Sequence, residues 1–166
     1  MSTERPLICF PVDQRRWFQT WRRHVPLVYS SIGGGTEGGC CELPTTEEAV
    51  KSMLKLADVK SSDIVYDLGC GDGRIVIAAA KEYGAHGAGI DINPVRIADA
   101  KENAKKAGVE NLVRFEENDL FDADIHEGTV VTLFLLNSVN EKLRPKLLKD
   151  LKPGTRVVSN TFGMSD

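Results

Sequence analysis

The sequence lacks the long apolar runs that would place the chain in a membrane. No stretch approaches the roughly 18 apolar residues that a membrane-spanning helix needs, and no apolar segment typical of a secretory signal peptide follows the first residues. Cysteine is sparse, with four in 166 residues and no C-x-x-C pair, which disfavours a disulfide scaffold and a cysteine metal site. We therefore expect a cytoplasmic protein with reduced thiols, no bound metal and no membrane span.

The sequence also has no excess of basic residues. Its 21 basic and 24 acidic residues give a net charge of −3, whereas a domain that binds nucleic acid through broad positive charge usually has the opposite balance. Nucleic acid is therefore disfavoured as a partner. The charge is uneven, because residues 1–30 carry five arginines against two acidic residues.

The first 44 residues differ from the rest in pattern as well as in charge. Trp17 and Trp21 lie four residues apart among basic residues, so they would share one face of a helix. Such a helix could contact nucleic acid or a membrane surface, or pack on the main domain, which we favour. Five glycines at 33–39 are typical of a linker or a mobile lid. We interpret 1–44 as an N-terminal appendage with a Gly-rich linker, and 45–166 as one domain.

From residue 45 onward, strand and helix patterns alternate. The predicted strands are 64–68, 87–91, 112–116, 129–136 and 155–162. The predicted helices are one that begins at a Thr45–Glu48 capping box, one over 74–83, one from Asn93-Pro94 to Ala107, and one that follows Val139, Leu143, Leu147 and Leu151. Helices of this length between strands imply right-handed crossovers, so we expect an α/β fold with a doubly wound, mostly parallel sheet.

A glycine-rich turn lies where the first of these strands passes into a helix. Residues 67–74 have the sequence D-L-G-C-G-D-G-R, and Gly69, Gly71 and Gly73 permit a tight turn and a close approach of the backbone to a ligand. Asp91 lies 18 residues after Gly73, at the end of the next strand. A carboxylate there can accept hydrogen bonds from both hydroxyls of a ribose, so the pair predicts an adenosine-type ligand.

The turn departs from the dinucleotide-binding pattern G-x-G-x-x-G. The sixth position counted from Gly69 is Arg74 rather than glycine, and the turn begins with Asp67. A leading acid suits a cationic cofactor better than a phosphate, and S-adenosylmethionine carries a sulfonium and no phosphate. An NAD enzyme and a tight turn without any ligand are the weaker alternatives.

Three segments together resemble the cofactor motifs of class I S-adenosylmethionine-dependent methyltransferases. They are 67–74, 89–94 (G-I-D-I-N-P) and 118–120 (N-D-L), and the resemblance covers 45–162. It implies a Rossmann-like methyltransferase fold, with S-adenosylmethionine as cofactor and S-adenosylhomocysteine as product. The cofactor-binding residues that it implies are Asp67, Gly69, Cys70, Gly71, Asp91, Ile92, Asn118, Asp119 and Leu120.

The resemblance also implies a role for several of these residues. Asp67 and the backbone at Gly69 and Gly71 would face the methionine end of the cofactor. Asp91 would hold the ribose. Ile92 would pack on the adenine, and Asp119 would accept a hydrogen bond from the adenine amino group.

Four segments of the chain resemble a narrower group within this class. The group is the small protein-lysine methyltransferases of archaea and mitochondria. The segments are 67–76, 130–136, 139–146 and 151–159. The resemblance implies a protein substrate whose lysine side chains are methylated. Methylation of a small molecule or RNA is one alternative, and a truncated or degenerate fold that binds cofactor or a partner without turnover is another. The group's Pro-Thr-Pro segment is matched only in part at 44–46, and Asn160 stands where histidine is common.

The acceptor is expected beyond the end of the fourth predicted strand, where Phe134, Leu135 and Asn137 would line its site. Methyl transfer from a sulfonium chiefly requires positioning of the acceptor and exclusion of water. No histidine-centred dyad is needed, so we assign no catalytic residue.

The last predicted strand ends close to the end of the sequence. Class I methyltransferases usually have two further strands beside it, so we expect a sheet that lacks the last two strands. Its fifth strand would then have an exposed, unpaired edge. Truncation, cover by residues 1–44, and a homo-oligomer formed through this edge are the three explanations.

Overall fold

The computed structural model of the protein describes residues 7–11 and 46–160. The predicted helix around Trp17 and Trp21 and the predicted linker at 33–39 lie outside the described residues. The elements in chain order are β1 (Leu7–Pro11), α1 (Glu47–Leu56), β2 (Ile64–Leu68), α2 (Arg74–Tyr83), β3 (His86–Asp91), α3 (Pro94–Ala107), β4 (Val113–Glu117), β5 (Val130–Leu133), α4 (Asn137–Asp150) and β6 (Arg156–Asn160).

The strands form one sheet in the order β1-β6-β5-β2-β3-β4. Strands β2 to β6 are parallel, and β1 runs antiparallel to β6 at one edge. The chain passes outward from β2 through β3 to β4 and then returns to β5 on the other side of β2. At such a reversal the carboxyl ends of two neighbouring strands open a crevice in which ligands bind. The α/β prediction with a mostly parallel sheet is confirmed, and the crevice lies between the ends of β2 and β5.

The edge of the last parallel strand is paired with a segment from the beginning of the chain. Residues Leu7 to Pro11 of β1 lie opposite Asn160 to Arg156 of β6 in antiparallel register. The expectation that this strand has an unpaired edge is therefore wrong. Cover by the first 44 residues is the explanation that matches this pairing, and the homo-oligomer loses the open edge on which it depended.

Helices cover both faces of the sheet. On one face, Met53 of α1 and Ile75 of α2 pack against Val65, and Ile97 of α3 packs in a neighbouring cluster around Phe115. On the other face, α4 packs its buried leucines against the strands. Strands β2, β3, β5 and β6 are buried on both sides along most of their length, whereas the edge strand β4 buries Phe115 and exposes Arg114, Glu116 and Glu117.

The ends of α3 follow directly from the local sequence. Asn93 caps the helix, because its side chain accepts a hydrogen bond from the backbone N–H of Val95 at 3.0 Å. Pro94 occupies the first turn, where its missing N–H costs nothing. Gly108 ends the helix in the left-handed conformation, with φ of 69°. The predicted helix from Asn93-Pro94 to Ala107 is confirmed.

Strands β3, β4 and β6 each begin within one residue of the predicted position, and the start of α1 and the end of β5 differ for reasons that their hydrogen bonds show. The N-cap of α1 is Thr46, whose hydroxyl accepts from Ala49 N at 3.3 Å, so the Thr45–Glu48 capping box is wrong. Alanine three residues after the cap has no side-chain acceptor to complete a box. Strand β5 ends at Leu133 rather than at 136, because Leu136 already caps α4 and its carbonyl accepts from Val139 N at 2.9 Å.

The cap of α3 provides a first prediction. Asn93→Ala removes the acceptor for Val95 N and should lower the free energy of unfolding by about 1 kcal/mol. Thermal unfolding should show a decrease of about 3 °C in Tm. The matched control is Asn111→Ala, because Asn111 is exposed and begins no described helix. Equal Tm values for the two variants would contradict the assigned cap.

Candidate active site

The turn after β2 adopts a backbone conformation that favours glycine at three positions. Gly69, Gly71 and Gly73 have φ values of 83°, 53° and 78°. The N–H groups of Gly69 and Cys70 both donate to the carbonyl of Ile90, at 2.8 and 3.0 Å. These bonds fold the turn onto the end of β3, so the turn lies at the mouth of the crevice.

Two of these glycines are also needed because their neighbours come close. A Cβ atom at Gly69 would lie 2.8 Å from Leu135 Cδ2, and one at Gly73 would lie 2.7 Å from the ring of Phe115. The contact at Gly69 is with the segment that follows β5. The glycine turn and the predicted acceptor segment therefore lie side by side.

Asp91 points at the glycine turn. Its Oδ2 accepts a hydrogen bond from Gly71 N at 2.9 Å, and its Oδ1 accepts from Asn93 N at 2.9 Å. A carboxylate has about four lone-pair sites, so these two bonds leave acceptor capacity for a ligand. The structure thus brings the predicted acid and the predicted turn together at one crevice.

Asp67 lies beneath the turn and is only 3% exposed. The hydroxyl of Thr132 on β5 donates to its Oδ1 at 2.7 Å. Burial raises the pKa of the Asp67 carboxyl to about 7; the charges of Asp91 and Asp72 add to this rise and the bond from Thr132 opposes it. The sequence reasoning missed Thr132, although a polar residue within the apolar run 129–136 is a usable signal.

Asp72 fixes the end of the turn, another role that the sequence reasoning missed. Its carboxylate forms an ion pair with Arg74 at 2.5 Å, and hydrogen bonding from that guanidinium holds the pKa of Asp72 below its usual value. Asn103 of α3 donates to the carbonyl of Asp72 at 3.1 Å. The turn is therefore held by bonds to β3, α2 and α3 before any ligand binds. Less conformational entropy is then lost when a ligand binds to it.

The residues predicted to hold the adenine lie beyond β3 and β4. Ile92 is 68% exposed, so its apolar side chain is accessible for packing. Asn118 N donates to the carbonyl of Asp91 at 3.1 Å, which joins the two segments. Asp119 Oδ1 accepts from Phe121 N at 2.9 Å, and Leu120 packs on the core. Asp119 thus stabilises its own turn with one oxygen, and its role toward adenine stays a prediction.

The predicted acceptor-lining residues lie after β5. Phe134 and Leu135 are half-buried, and Asn137 is exposed at the first position of α4. Leu135 is the member that contacts the glycine turn. We call residues 134–136 the acceptor loop.

Cys70 lies within the turn but is not poised for nucleophilic chemistry. It is buried, and desolvation together with the charges of Asp67 and Asp91 raises the pKa of its thiol. Within residues 46–160, no group of three or more His, Cys, Asp or Glu side chains is arranged to hold a metal ion. No helix of the described part of the chain is both long enough and apolar enough to span a membrane.

The fold and the comparisons below define the chain as a class I S-adenosylmethionine-dependent methyltransferase. The crevice at the switch point of its sheet is where the cofactor, S-adenosylmethionine, is expected. Within the class, the sequence model of the ANTKMT methyltransferase domain matches residues 67–166. The chain therefore belongs to the ANTKMT methyltransferase domain family.

Two of the curated relatives are named as lysine N-methyltransferases that act on proteins. The protein-lysine N-methyltransferase of Saccharolobus islandicus is 54% identical over 121 residues, which are 72% of this chain and 75% of that protein. The adenine nucleotide translocase lysine N-methyltransferase of Mus musculus is 35% identical over 113 residues, 68% of this chain and 49% of that protein. The chain thus spans about half the length of the mouse relative.

Two solved structures have the same fold, and one of them is described as an RNA methyltransferase. An RNA methyltransferase from Salinibacter ruber, in complex with S-adenosylhomocysteine, is 58% identical with a TM-score of 0.73, covering 74% of this chain and 80% of that one. A methyltransferase from Geobacter sulfurreducens, also with S-adenosylhomocysteine, is 24% identical with a TM-score of 0.61, covering 68% and 47%. The second likeness concerns the fold alone.

Proposed function

We propose that the protein transfers the methyl group of S-adenosylmethionine to lysine side chains of a protein substrate. The observation that carries this proposal is the 54% identity to a protein-lysine N-methyltransferase over 72% of the chain. At that identity the glycine turn and the strands that position it are expected to serve the same chemistry.

The cofactor would bind in the crevice at the carboxyl end of β2 and extend from there across the end of β3. Its cationic methionine end would lie over the turn, near the carboxylate of Asp67, where an opposite charge favours binding. The remaining lone pairs of Asp91 would accept hydrogen bonds from the ribose hydroxyls. Ile92 would cover one face of the adenine, and Asn118, Asp119 and Leu120 would border its edge.

The methyl transfer itself requires alignment more than acid–base chemistry. S-adenosylmethionine would supply the methyl group on a sulfonium, and the lysine nitrogen would attack that carbon as its bond to sulfur breaks, with the neutral thioether as the leaving group. The lysine must first lose its ammonium proton, because only the neutral amine has a free lone pair. His86 begins β3 at the opposite end of the sheet, and exposed His126 pairs with Asp124, so neither is positioned to take that proton. The proton would leave to solvent before the amine enters the site.

RNA is the second candidate acceptor, because the Salinibacter ruber relative is described as an RNA methyltransferase at 58% identity. The charge of this chain argues against it. Residues 117–122 run from the end of β4 past the carbonyl of Asp91, beside the crevice, and they carry three acidic residues and no lysine or arginine. A phosphate backbone would be repelled by this segment, whereas a lysine-rich protein segment would not.

Transfer of a radiolabelled methyl group distinguishes these acceptors. The purified full chain is incubated with labelled S-adenosylmethionine in three separate reactions, which contain a panel of proteins, total RNA or small metabolites. We expect label in proteins, located on lysine by mass spectrometry, and none in the same proteins after their lysines are acetylated. Label in RNA alone would establish the second candidate. Label in nothing, from a folded protein that binds S-adenosylhomocysteine, would indicate a fold without turnover.

A further inference from the structure

Asn140 is a polar residue on the buried face of α4. The helix buries Asn140, Leu143 and Leu147, and Asn140 has no exposed surface. The apolar spacing of α4 predicts that Val139 faces the core at this turn of the helix, but Val139 is only half-buried. Burying an amide in a leucine-lined face costs free energy unless the amide is hydrogen-bonded, so its partners indicate what the position does.

The partners of Asn140 lie in the acceptor loop and at the end of β6. Its side-chain Nδ2 donates to the carbonyl of Leu135 at 3.4 Å and to Ser159 Oγ at 3.5 Å. Its backbone N–H donates to the carbonyl of Leu136 at 3.0 Å. The backbone bond belongs to the first turn of α4, whereas the side chain ties the Leu135 carbonyl of the acceptor loop to β6.

The carbonyl of Leu135 and its side chain connect two parts of the site. The carbonyl accepts from Asn140, while the side chain lies so close to the glycine turn that a Cβ atom at Gly69 would be 2.8 Å from Cδ2. A shift of the Leu135 backbone would therefore move the acceptor loop relative to the turn. In-line displacement is sensitive to such a shift, because a misplacement of about 1 Å can cost on the order of 100-fold in rate.

We propose that Asn140 is a positioning residue for methyl transfer, which fixes the acceptor loop against the glycine turn by holding the Leu135 carbonyl. The inference rests on the proposed function in one respect, namely that the acceptor enters beside this loop. Asn140 lies on α4, whereas Asp91 ends β3 and the glycine turn follows β2. The residue should therefore control the rate of transfer and leave cofactor affinity nearly unchanged.

Asn140→Leu tests this, because the leucine side chain has the same number and branching of heavy atoms and no N–H donor. With the acceptor that the wild-type protein labels, we expect kcat to fall about 10-fold to 100-fold while the KM for S-adenosylmethionine stays within about twofold. The control is Leu147→Ala, two turns further along the same buried face, which should lower Tm without lowering kcat more than about twofold.

Amide hydrogen exchange across residues 134–139 provides a readout that needs no acceptor. Exchange should become about 10-fold faster in Asn140→Leu and stay unchanged in Leu147→Ala. The inference is overturned if Asn140→Leu keeps the wild-type kcat or the wild-type exchange, or if Leu147→Ala reproduces both losses. If the wild-type protein labels no acceptor, the proposed function fails, and the exchange measurement alone decides whether Asn140 holds the loop.

Discussion

Alanine in place of Asp91 should weaken the binding of S-adenosylhomocysteine by about 100-fold or more. In the proposed complex, the carboxylate accepts hydrogen bonds from two ribose hydroxyls, each of which contributes about 1.5 kcal/mol or more because the acceptor is charged. Their loss, about 3 kcal/mol, corresponds to the stated factor. The variant also loses the bonds from Gly71 N and Asn93 N that shape the turn.

Isothermal titration calorimetry measures this change directly, and circular dichroism confirms that the variant is folded. The control is Asp99→Ala, because Asp99 is an exposed carboxylate on α3 and should leave the affinity unchanged. Asp91→Asn is a second variant that keeps the size of the side chain but points an amide N–H at one of the two backbone N–H groups. Binding by either Asp91 variant within about threefold of wild type would refute this placement of the ribose.

Asp67 should make stability and cofactor affinity depend on pH in opposite directions. Its pKa is raised from 3.8 to about 7 in the folded protein, mainly by burial. Between these values the folded state keeps a proton that the unfolded chain has lost. Stability from this group therefore falls as the pH rises from about 4 to about 7, by about 1.4 kcal/mol per unit and on the order of 4 kcal/mol in total.

Cofactor affinity should follow the opposite slope, because only the ionised carboxylate attracts the cationic methionine end. Affinity should therefore rise as the pH increases through about 7. Asp67→Asn should flatten both profiles, and at alkaline pH it should be more stable than wild type. The measurements are urea unfolding and calorimetric binding across this pH range, with Asp99→Asn as the control that keeps both slopes. Parallel profiles for wild type and Asp67→Asn would show that another group is responsible.

Local signals were enough to predict much of the fold and the meeting of Asp91 with the glycine turn in the candidate site. The bounds of α3 follow from Asn93, Pro94 and Gly108, each of which acts on its immediate neighbours. The crevice follows from glycines after one strand and an acid after the next, since parallel strands end at the same edge. Asp91 is accordingly found 2.9 Å from the N–H of Gly71.

The remainder depends on contacts between residues far apart in the sequence. Thr132 bonds to Asp67 only because β5 lies beside β2 in that register, which the order of elements along the chain does not specify. Asn140 interrupts an apolar spacing that favours Val139, since a polar residue in a helix is ordinarily exposed. The pairing of β1 with β6 joins the two extremes of the described chain, and no local pattern indicates it.

That pairing has a consequence for biosynthesis. Strand β1 leaves the ribosome before the other described strands, and its partner β6 is the last of them to emerge. The parallel core from β2 to β5 can assemble early, while the closing of the sheet must wait for the longest loop in the fold to close. A nascent chain stalled before β6 has emerged would expose β1 without its partner, and chaperone binding is best sought at that stage.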